Sequence, residues 1–385
     1  SATKRGGGGT AVLWSNVTRA DSSTQIAGSI TAHGGIEGGQ GGRVETSGHQ
    51  LQISDSARVS TLAPKDHSGL WLLDPMDFTI AAGSGAQTTS SIGADTLSAN
   101  LDSTNIAIVT DSSTGGNGDI SVNAAVNSSA NTLLTLTAHR NINVNAAVSV
   151  GGGVNLIASG GNVNLNGDLS TTNTSTGDVG ITASTGLTGS GGIALADGRT
   201  LTVTQSGNTT YSGVISGSGA GLTKLGTGDL SLGGANTYTG ATTVNAGVLS
   251  LAAANRLPDS TALTVNAGST FSLNGFNETV GSIRGSGLIA NGAAVRDGLV
   301  LWLDAGNTAS YSGTGTTWYD LSGNGYHGTL VGSPTHNAGT SLFTFDSNTK
   351  YVQLAALPAQ PAAALVVPSL VGRVDRLEIR LVAVG

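Results

Sequence analysis

The chain contains no cysteine, which excludes disulfide bridges and thiolate metal sites. Charge is also scarce, because Asp, Glu, Lys and Arg make up 10% of the residues, against about 25% in a typical globular domain. The net charge is −7 and the 16 Lys and Arg residues are scattered, so no basic stripe is available to neutralise phosphates. No apolar run approaches the roughly 18 residues that cross a membrane. We therefore expect no nucleic-acid partner and no membrane-spanning segment.

Glycine is the most prominent residue that is present, with 60 copies in 385 positions. Thr, Asn and the aliphatic residues Val, Ile and Leu fill many of the remaining positions. This composition predicts many short strands joined by tight turns. Gly and Asn interrupt every candidate helical window, so no sustained 3.6-residue apolar period indicates a helix.

The strongest pattern is an internal repeat. ISVNAAV at Ile120–Val126 recurs as INVNAAV at Ile142–Val148, 22 residues later, and more loosely as VNLNGDL at Val163–Leu169, 21 residues further on. A second strand-like stretch lies between these copies, as in LTLTAHRN and VNLIASGGN. Units of this length, each too small for a core of its own, predict a solenoid.

The alternation within each copy predicts which side chains face inward. Alternate residues of a strand point to opposite faces, so Ile120 and Val122 share one face. If each copy is one coil, equivalent residues stack about 4.8 Å apart and form a continuous aliphatic core. Asn123, Asn145 and Asn166 then form a column in which amide side chains hydrogen-bond as a ladder. We therefore predict an all-β fold that is a parallel β-helix.

Composition divides the chain into four parts. Residues 1–205 are the first part, in which the repeats are visible from about Asp119 to Gln205. Residues 206–292 continue them, because TTVNAG and LTVNAG recur at 21 residues. Residues 293–356 hold most of the Trp and Tyr and are predicted to form a different domain. Residues 357–385 are rich in Ala and Pro and then in Arg, which is typical of a linker or an atypical tail.

Three stretches resemble known families. GGRVETSGHQLQISDSARVSTLAP followed by GLWLLDPMDFTI resembles the filamentous-haemagglutinin class of exported proteins. YSGVISGSGAGLTKLGTGDLSLGGANTYTGATTVNAGVLSL resembles the passenger-associated β-strand repeat of autotransporters. DGLVLWLDAGNTASYSGTGTTWYDLSGNGYHGTL is similar to the start of laminin-G-like, concanavalin-type domains, truncated here.

The resemblances imply a right-handed parallel β-helix that is exported across a bacterial outer membrane, followed by a partial jelly-roll-like β-sandwich segment. The absence of cysteine suits such a route, since no disulfide can lock the chain before it crosses. The implied partners are an outer-membrane transporter during export and glycans or proteins of a host or environmental surface. The implied location is extracellular or on the bacterial cell surface.

Candidate binding residues lie in the aromatic-rich part. Trp318, Tyr319 and Tyr326 are the residue types that stack on sugar rings. Trp318 and Tyr319 are adjacent, so in a strand they point in opposite directions, one toward the core and one toward solvent.

Calcium is the one candidate cofactor. Asp304, Asp320 and Asn324 supply oxygen ligands of the type that calcium takes. The six His residues show no zinc-ligand spacing, and the recurring Gly-Asp pairs are expected to form turns.

We expect the chain to be a non-enzymatic fragment of a bacterial adhesin, with the β-helix as a stiff stalk and a carbohydrate-binding head. The chain starts at Ser1 without a signal peptide, which favours a fragment of a longer protein. Two alternatives stay open. One is a polysaccharide-processing β-helix enzyme, which needs acids clustered in one groove. The other is a purely structural passenger element that assists secretion.

Overall fold

The computed structural model places the chain in two compact units, Ser1–Leu288 and Ile289–Gly385. The predicted boundary between residues 292 and 293 falls within 291–298, which lie outside the described residues. The residues that the structure describes are 2–83, 90–112, 116–290, 299–303, 305, 308–321, 325–337, 342–347, 349–354 and 364–366.

Up to residue 290, the described part of the chain is built from short strands and one short helix. Its elements are β1 (Thr10–Trp14), β2 (Ser23–Ile26), β3 (Ser29–Thr31), β4 (Arg43–Ser47), β5 (Gln50–Ile53), β6 (Arg58–Ser60), β7 (Leu70–Asp74), β8 (Phe78–Ala81), β9 (Ser91–Gly93), α1 (Ala94–Leu101), β10 (Asn105–Val109), β11 (Ile120–Val122), β12 (Val126–Ser128), β13 (Leu134–Ala138), β14 (Ile142–Val144), β15 (Val148–Val150), β16 (Val154–Ala158), β17 (Asn162–Leu165), β18 (Leu169–Thr171), β19 (Val179–Ala183), β20 (Gly186–Thr188), β21 (Ile193–Ala194), β22 (Thr200–Gln205), β23 (Thr209–Tyr211), β24 (Ile215–Ser216), β25 (Gly221–Leu225), β26 (Asp229–Leu232), β27 (Thr242–Val244), β28 (Gly247–Leu251), β29 (Ala262–Val265), β30 (Ser269–Ser272), β31 (Ser282–Gly285) and β32 (Leu288–Ala290).

These strands stack as a parallel β-helix, as the repeat predicts. One sheet of twelve strands runs the length of the stack in the order β1-β4-β7-β10-β13-β16-β19-β22-β25-β27-β29-β31. The second side is formed by β2-β5-β9-β8-β11-β14-β17-β20 and then by β23-β26-β28-β30-β32. The third side is formed by β3-β6 and by β12-β15-β18-β21-β24. From β25 onward each coil contributes two strands instead of three.

Equivalent apolar residues form continuous columns inside the stack. Ile120 lies opposite Ile142, which lies opposite Val163 in the next coil, and all three are fully buried. The predicted inward residues are therefore confirmed. Burial of each such side chain stabilises the fold by about 1.5–3 kcal/mol relative to an exposed position.

Asp and Asn side chains at the corners connect one coil to the next. Asp77 Oδ1 accepts a hydrogen bond from the Asp119 N–H at 2.8 Å, and Asp119 Oδ1 accepts one from the Asn141 N–H at 3.0 Å. Asn141 Oδ1 in turn accepts from the Asn162 N–H at 2.9 Å. Corners interrupt the sheet ladders and leave backbone donors without a strand partner. The side chains supply that partner, which accounts for the many Asx residues in the turns.

Glycine is required where coils approach most closely. Gly191, Gly213 and Gly234 occupy equivalent corners of three successive coils. A Cβ atom at Gly213 would overlap the carbonyl oxygen of Gly191, and one at Gly234 would overlap that of Gly213. A side chain here would therefore push two coils apart.

The expectation that the chain holds no helix is wrong for α1. Ala94, Leu97 and Leu101 are spaced three and four residues apart and bury one face of this helix. Asn100 fixes it to the preceding coil, because its Oδ1 accepts the Val59 N–H at 2.6 Å and its Nδ2 donates to the Ala57 carbonyl at 3.1 Å. In the described part of the chain, no helix is long and apolar enough to cross a membrane.

The second unit is small and mainly antiparallel. Its strands are β33 (Leu299–Trp302), β34 (Thr317–Trp318), β35 (Gly328–Val331), β36 (Thr335–Asn337), β37 (Leu342–Thr344), β38 (Tyr351–Leu354) and β39 (Ala364–Val366). β34, β35 and β38 form one antiparallel sheet and β36 with β37 forms a hairpin, whereas β33 and β39 pair in parallel. The predicted jelly-roll-like sandwich stays a prediction. Of the predicted tail 357–385, only β39 is described.

The core columns predict unequal effects of substitutions at adjacent positions. Leu156 lies inward between Leu136 and Ile181 and is 1% exposed, whereas Ile157 faces outward. Leu156→Ala should lower the free energy of unfolding by about 2–5 kcal/mol because it leaves a cavity. Ile157→Ala, the matched control, should cost less than about 1 kcal/mol. Urea denaturation followed by circular dichroism measures both, and equal losses would contradict the assignment of faces.

Candidate functional site

The predicted asparagine column is a hydrogen-bonded ladder on the surface of the stack. Asn145 Nδ2 donates to Asn123 Oδ1 at 2.9 Å, and Asn166 Nδ2 donates to Asn145 Oδ1 at 3.2 Å. A second ladder runs beside it, in which Asn164 donates to Asn143 and accepts from Thr188, both at 2.7 Å. The ladders fix the register of neighbouring coils.

The aromatic candidates of the second unit separate into core and surface. Trp318 is 1% exposed and packs against Phe343, with 4.7 Å between ring centroids. Its ring is therefore part of the core, and no face of it is open to a sugar. Tyr319 points the other way and is 47% exposed. Tyr326 is partly buried against the same core.

The core that buries Trp318 is formed by residues that are far apart in sequence. Its buried members are Leu303, Ala305, Tyr311, Trp318, Leu330, Phe343 and Leu354.

Asp320 organises the turn beside Tyr319. Its Oδ2 accepts a hydrogen bond from the Tyr326 N–H at 3.0 Å, and its own N–H donates to His327 Nδ1 at 3.0 Å. The His327 ring meets the Tyr319 ring edge-on, with 5.2 Å between centroids. Tyr319 and His327 thus form a half-exposed aromatic pair, and the nearly buried Asp320 carboxylate holds the turn beside them.

The calcium prediction rests mainly on residues that lie outside the described part of the chain. Asp304 and Asn324 are both there, whereas Asp320 is described. Among the described residues, no group of three or more His, Asp or Glu side chains is arranged as metal ligands. Calcium binding at Asp304, Asp320 and Asn324 therefore stays a prediction.

A buried lysine, which the repeat pattern did not predict, lies inside the β-helix. In the inward column of the long sheet, Lys224 lies between Val203 and Val244 and is fully buried. Its Nζ donates to the carbonyls of Leu225 at 2.7 Å and Gly226 at 3.0 Å. The sequence does indicate this burial, because in GLTKL the lysine lies two residues after the inward Leu222 and therefore on the same face of the strand.

Electrostatics at this coil follow from burial. Burial lowers the pKa of the Lys224 ammonium group to about 8, although the nearby Asp229 carboxylate acts in the opposite direction. Burial also raises the pKa of the Asp229 carboxyl. A hydrogen bond from Ser250 Oγ at 2.8 Å and the charge of Lys224 act in the opposite direction. The low-dielectric interior disfavours both charged forms.

Other polar side chains line the same part of the interior. Gln205 is 1% exposed, and its Nε2 donates to Thr209 Oγ1 at 3.0 Å and to the Asp229 carbonyl at 2.7 Å. Thr242 Oγ1 shares hydrogen bonds with the Tyr238 hydroxyl at 2.5 Å and with Thr261 Oγ1 at 3.0 Å. These bonds satisfy buried polar groups and join successive coils.

Comparison with known proteins assigns part of this region. Residues 222–251 match the family model of the passenger-associated-transport-repeat. The matched span begins in β25 and ends in β28, so it holds Lys224, Asp229 and Tyr238. No curated protein matches the chain. The match supports an autotransporter passenger repeat in these coils, whereas the filamentous-haemagglutinin and laminin-G resemblances stay predictions.

Lys224 predicts a stability that rises with pH. Its folded-state pKa lies below the ordinary value of 10.5, so between about pH 8 and pH 10 the unfolded chain binds more protons than the folded chain. Stability should therefore increase by roughly 1–2 kcal/mol over this interval. Lys224→Met, which replaces the ammonium-bearing chain by an unbranched apolar one that is one atom shorter, should remove that increase and stabilise the fold at pH 7.

Urea denaturation at half-unit pH steps measures the effect. Exposed Lys65 supplies the matched control as Lys65→Met, which should leave the pH dependence unchanged. Equal pH profiles of the wild-type chain and Lys224→Met from pH 8 to pH 10 would show that Lys224 is hydrated in the folded chain.

Proposed function

We propose that this chain is part of the passenger region of a bacterial autotransporter-type protein, displayed outside the cell as a non-enzymatic adhesin. The observation that carries the proposal is the passenger-repeat match at 222–251 within one continuous parallel stack. In this proposal the first unit is a stalk and the second unit is the adhesive part.

The stack has the physical properties of a stalk. Twelve strands in one sheet, about 4.8 Å apart, give a length of about 53 Å. Each coil is held mainly by its neighbours, so the chain can fold coil by coil as it emerges from a transporter. With no cysteine in the sequence, no disulfide opposes passage in an unfolded state.

The second unit supports adhesion through its exposed aromatic pair. Tyr319 is the most exposed of the three aromatic candidates, and its ring is braced by His327. A tyrosine ring with a polar rim favours the apolar face of a sugar. Carbohydrate is therefore the proposed ligand class, with a surface of a host or of the environment as its source.

A second candidate function is supported by the position of the matched repeat. The inward column of the long sheet is aliphatic from Leu73 to Val203 and then holds the hydrogen-bonded Lys224 in the matched coil. Satisfied polar interiors specify a single register more strictly than aliphatic ones. These coils would then nucleate folding outside the cell and so draw the rest of the chain across the membrane.

Removing one whole coil tests the secretion role. Residues 222–241 span one coil, because Leu222 pairs with Thr242. Residues 134–153 span another, because Leu134 pairs with Val154. After either deletion, the inward residues of the two flanking coils again lie opposite one another. If the repeat drives export, deletion of 222–241 should lower the secreted fraction in the native host by about tenfold or more, while deletion of 134–153 should not.

Immunoblots of the medium and of intact cells measure the secreted fraction. Equal secretion of both deletion variants would leave the repeat a stalk element only. Loss of secretion in both would show that export requires the full number of coils and gives the repeat no special role.

The adhesion role predicts a loss of glycan binding when the exposed ring is removed. Tyr319→Ala should reduce the signal of the whole chain on a glycan array by roughly tenfold, since one stacking ring contributes about 1–2 kcal/mol. Trp14→Ala removes an exposed ring from the first unit and should have no effect. Arrays in calcium and in chelator test the cofactor prediction. Absence of any glycan signal in the wild-type chain would contradict the proposed ligand class.

A further inference from the structure

The chain has a single Asp-Pro peptide bond, between Asp74 and Pro75. It lies where β7 ends and the chain turns toward β8. Proline nitrogen is part of a tertiary amide, which is more basic than a secondary amide and leaves more readily once protonated. The Asp74 carboxyl lies within the same residue as the carbonyl that it can attack. Sequence therefore places a nucleophile and a good leaving group around one carbonyl carbon.

The fold adds a donor to that carbonyl. The Gly48 N–H donates to the Asp74 carbonyl oxygen at 3.2 Å, at the end of the parallel pairing between β4 and β7. The close approach at this corner favours glycine, because a Cβ atom at position 48 would lie 2.7 Å from Ser15 Oγ and 2.8 Å from Thr24 Oγ1. An N–H at this distance polarises the carbonyl and stabilises negative charge that forms on its oxygen.

The charged groups around Asp74 come from neighbouring coils. The Asp74 side chain is partly buried, and the carboxylates of Glu45 in β4 and Asp111 after β10 act on it. Arg43 pairs with Glu45 at 3.0 Å and withdraws part of that charge. Burial, followed by these two carboxylates, raises the pKa of the Asp74 carboxyl. The un-ionised form therefore persists to a higher pH than in an exposed aspartate.

We propose that the Asp74–Pro75 bond is a self-cleavage site of the folded chain. A carboxyl oxygen of Asp74 attacks the main-chain carbonyl carbon of the same residue, and the carboxyl proton passes to the Pro75 nitrogen. The C–N bond breaks, Pro75 leaves as a secondary amine, and Asp74 becomes a cyclic anhydride. One water molecule then opens the anhydride and leaves two carboxyl groups on Asp74. The Gly48 N–H stabilises the oxyanion that forms during the attack.

Cleavage would cut the chain without separating the stack. β7 stays paired with β4 and β10, and β8 stays paired with β9 and β11. The products, residues 1–74 and 75–385, would remain together until the coils unfold. A covalently interrupted stalk of this kind can release its amino-terminal coils under force or denaturation, which an intact chain cannot do.

The test is incubation of the purified whole chain from pH 4 to pH 7 with protease inhibitors, followed by mass spectrometry under denaturing conditions. We expect fragments that end at Asp74 and begin at Pro75, with a rate that rises as pH falls through the pKa of Asp74. The rate in the folded chain should exceed that in concentrated urea at the same pH by about tenfold or more, because unfolding removes the Gly48 donor.

Variants separate the chemistry from general acid damage. Asp74→Asn and Pro75→Ala should abolish cleavage at this bond, and circular dichroism checks that both still fold. Glu45→Gln removes a neighbouring carboxylate and should move the pH profile downward without abolishing the reaction. The reversed pair Pro258–Asp259 serves as an internal control and should stay intact. Equal rates in buffer and in urea, or an intact Asp74–Pro75 bond throughout the pH range, would overturn the proposal.

Discussion

The structure depends on one constraint, which is that each coil must lie one strand spacing, about 4.8 Å, above the last. Backbone hydrogen bonds between parallel strands set this distance, and every side chain must suit it. Inward positions are filled by aliphatic residues in columns such as Ile120, Ile142 and Val163. Corners are filled by Asx residues that bond the next coil, or by glycines such as Gly213 that leave room for it. The composition of the chain is therefore a consequence of stacking.

The same constraint makes Lys224 unusual. A column position that accepts Val203 and Val244 in the adjacent coils also accepts a lysine, provided that its Nζ finds carbonyl acceptors at the corner. Gln205, Tyr238 and Thr242 satisfy buried polar groups in the same way. The family match covers three of these four residues. The coils that carry the passenger repeat thus place a lysine in a column that is aliphatic in the coils just before and after it.

The stacking of coils also brings a backbone donor to the proposed cleavage site at one corner. The approach of Gly48 to the Asp74 carbonyl exists because β4 and β7 are held in register along their whole length. The second unit is held together differently, because its core joins residues that are as far apart in sequence as Leu303 and Leu354. There the contact of Asp320 with Tyr326 and His327 turns an aromatic pair toward solvent. Our proposal therefore assigns length and connectivity to the first unit and recognition to the second.

The features of the fold that repeat can be predicted from the amino-acid sequence. A 22-residue interval was enough to predict the parallel stack, the inward columns and the ladder through Asn123, Asn145 and Asn166, because a solenoid is governed by contacts between neighbouring coils. The features that do not repeat depend on contacts that form in the folded chain. Helix α1 forms because Asn100 and a buried Leu face fit one coil. Trp318 is core and Tyr319 is surface because Phe343 arrives from another strand. Lys224 is buried because the residues that pair with it in the adjacent coils face inward. Such non-local contacts leave no periodic pattern in the sequence.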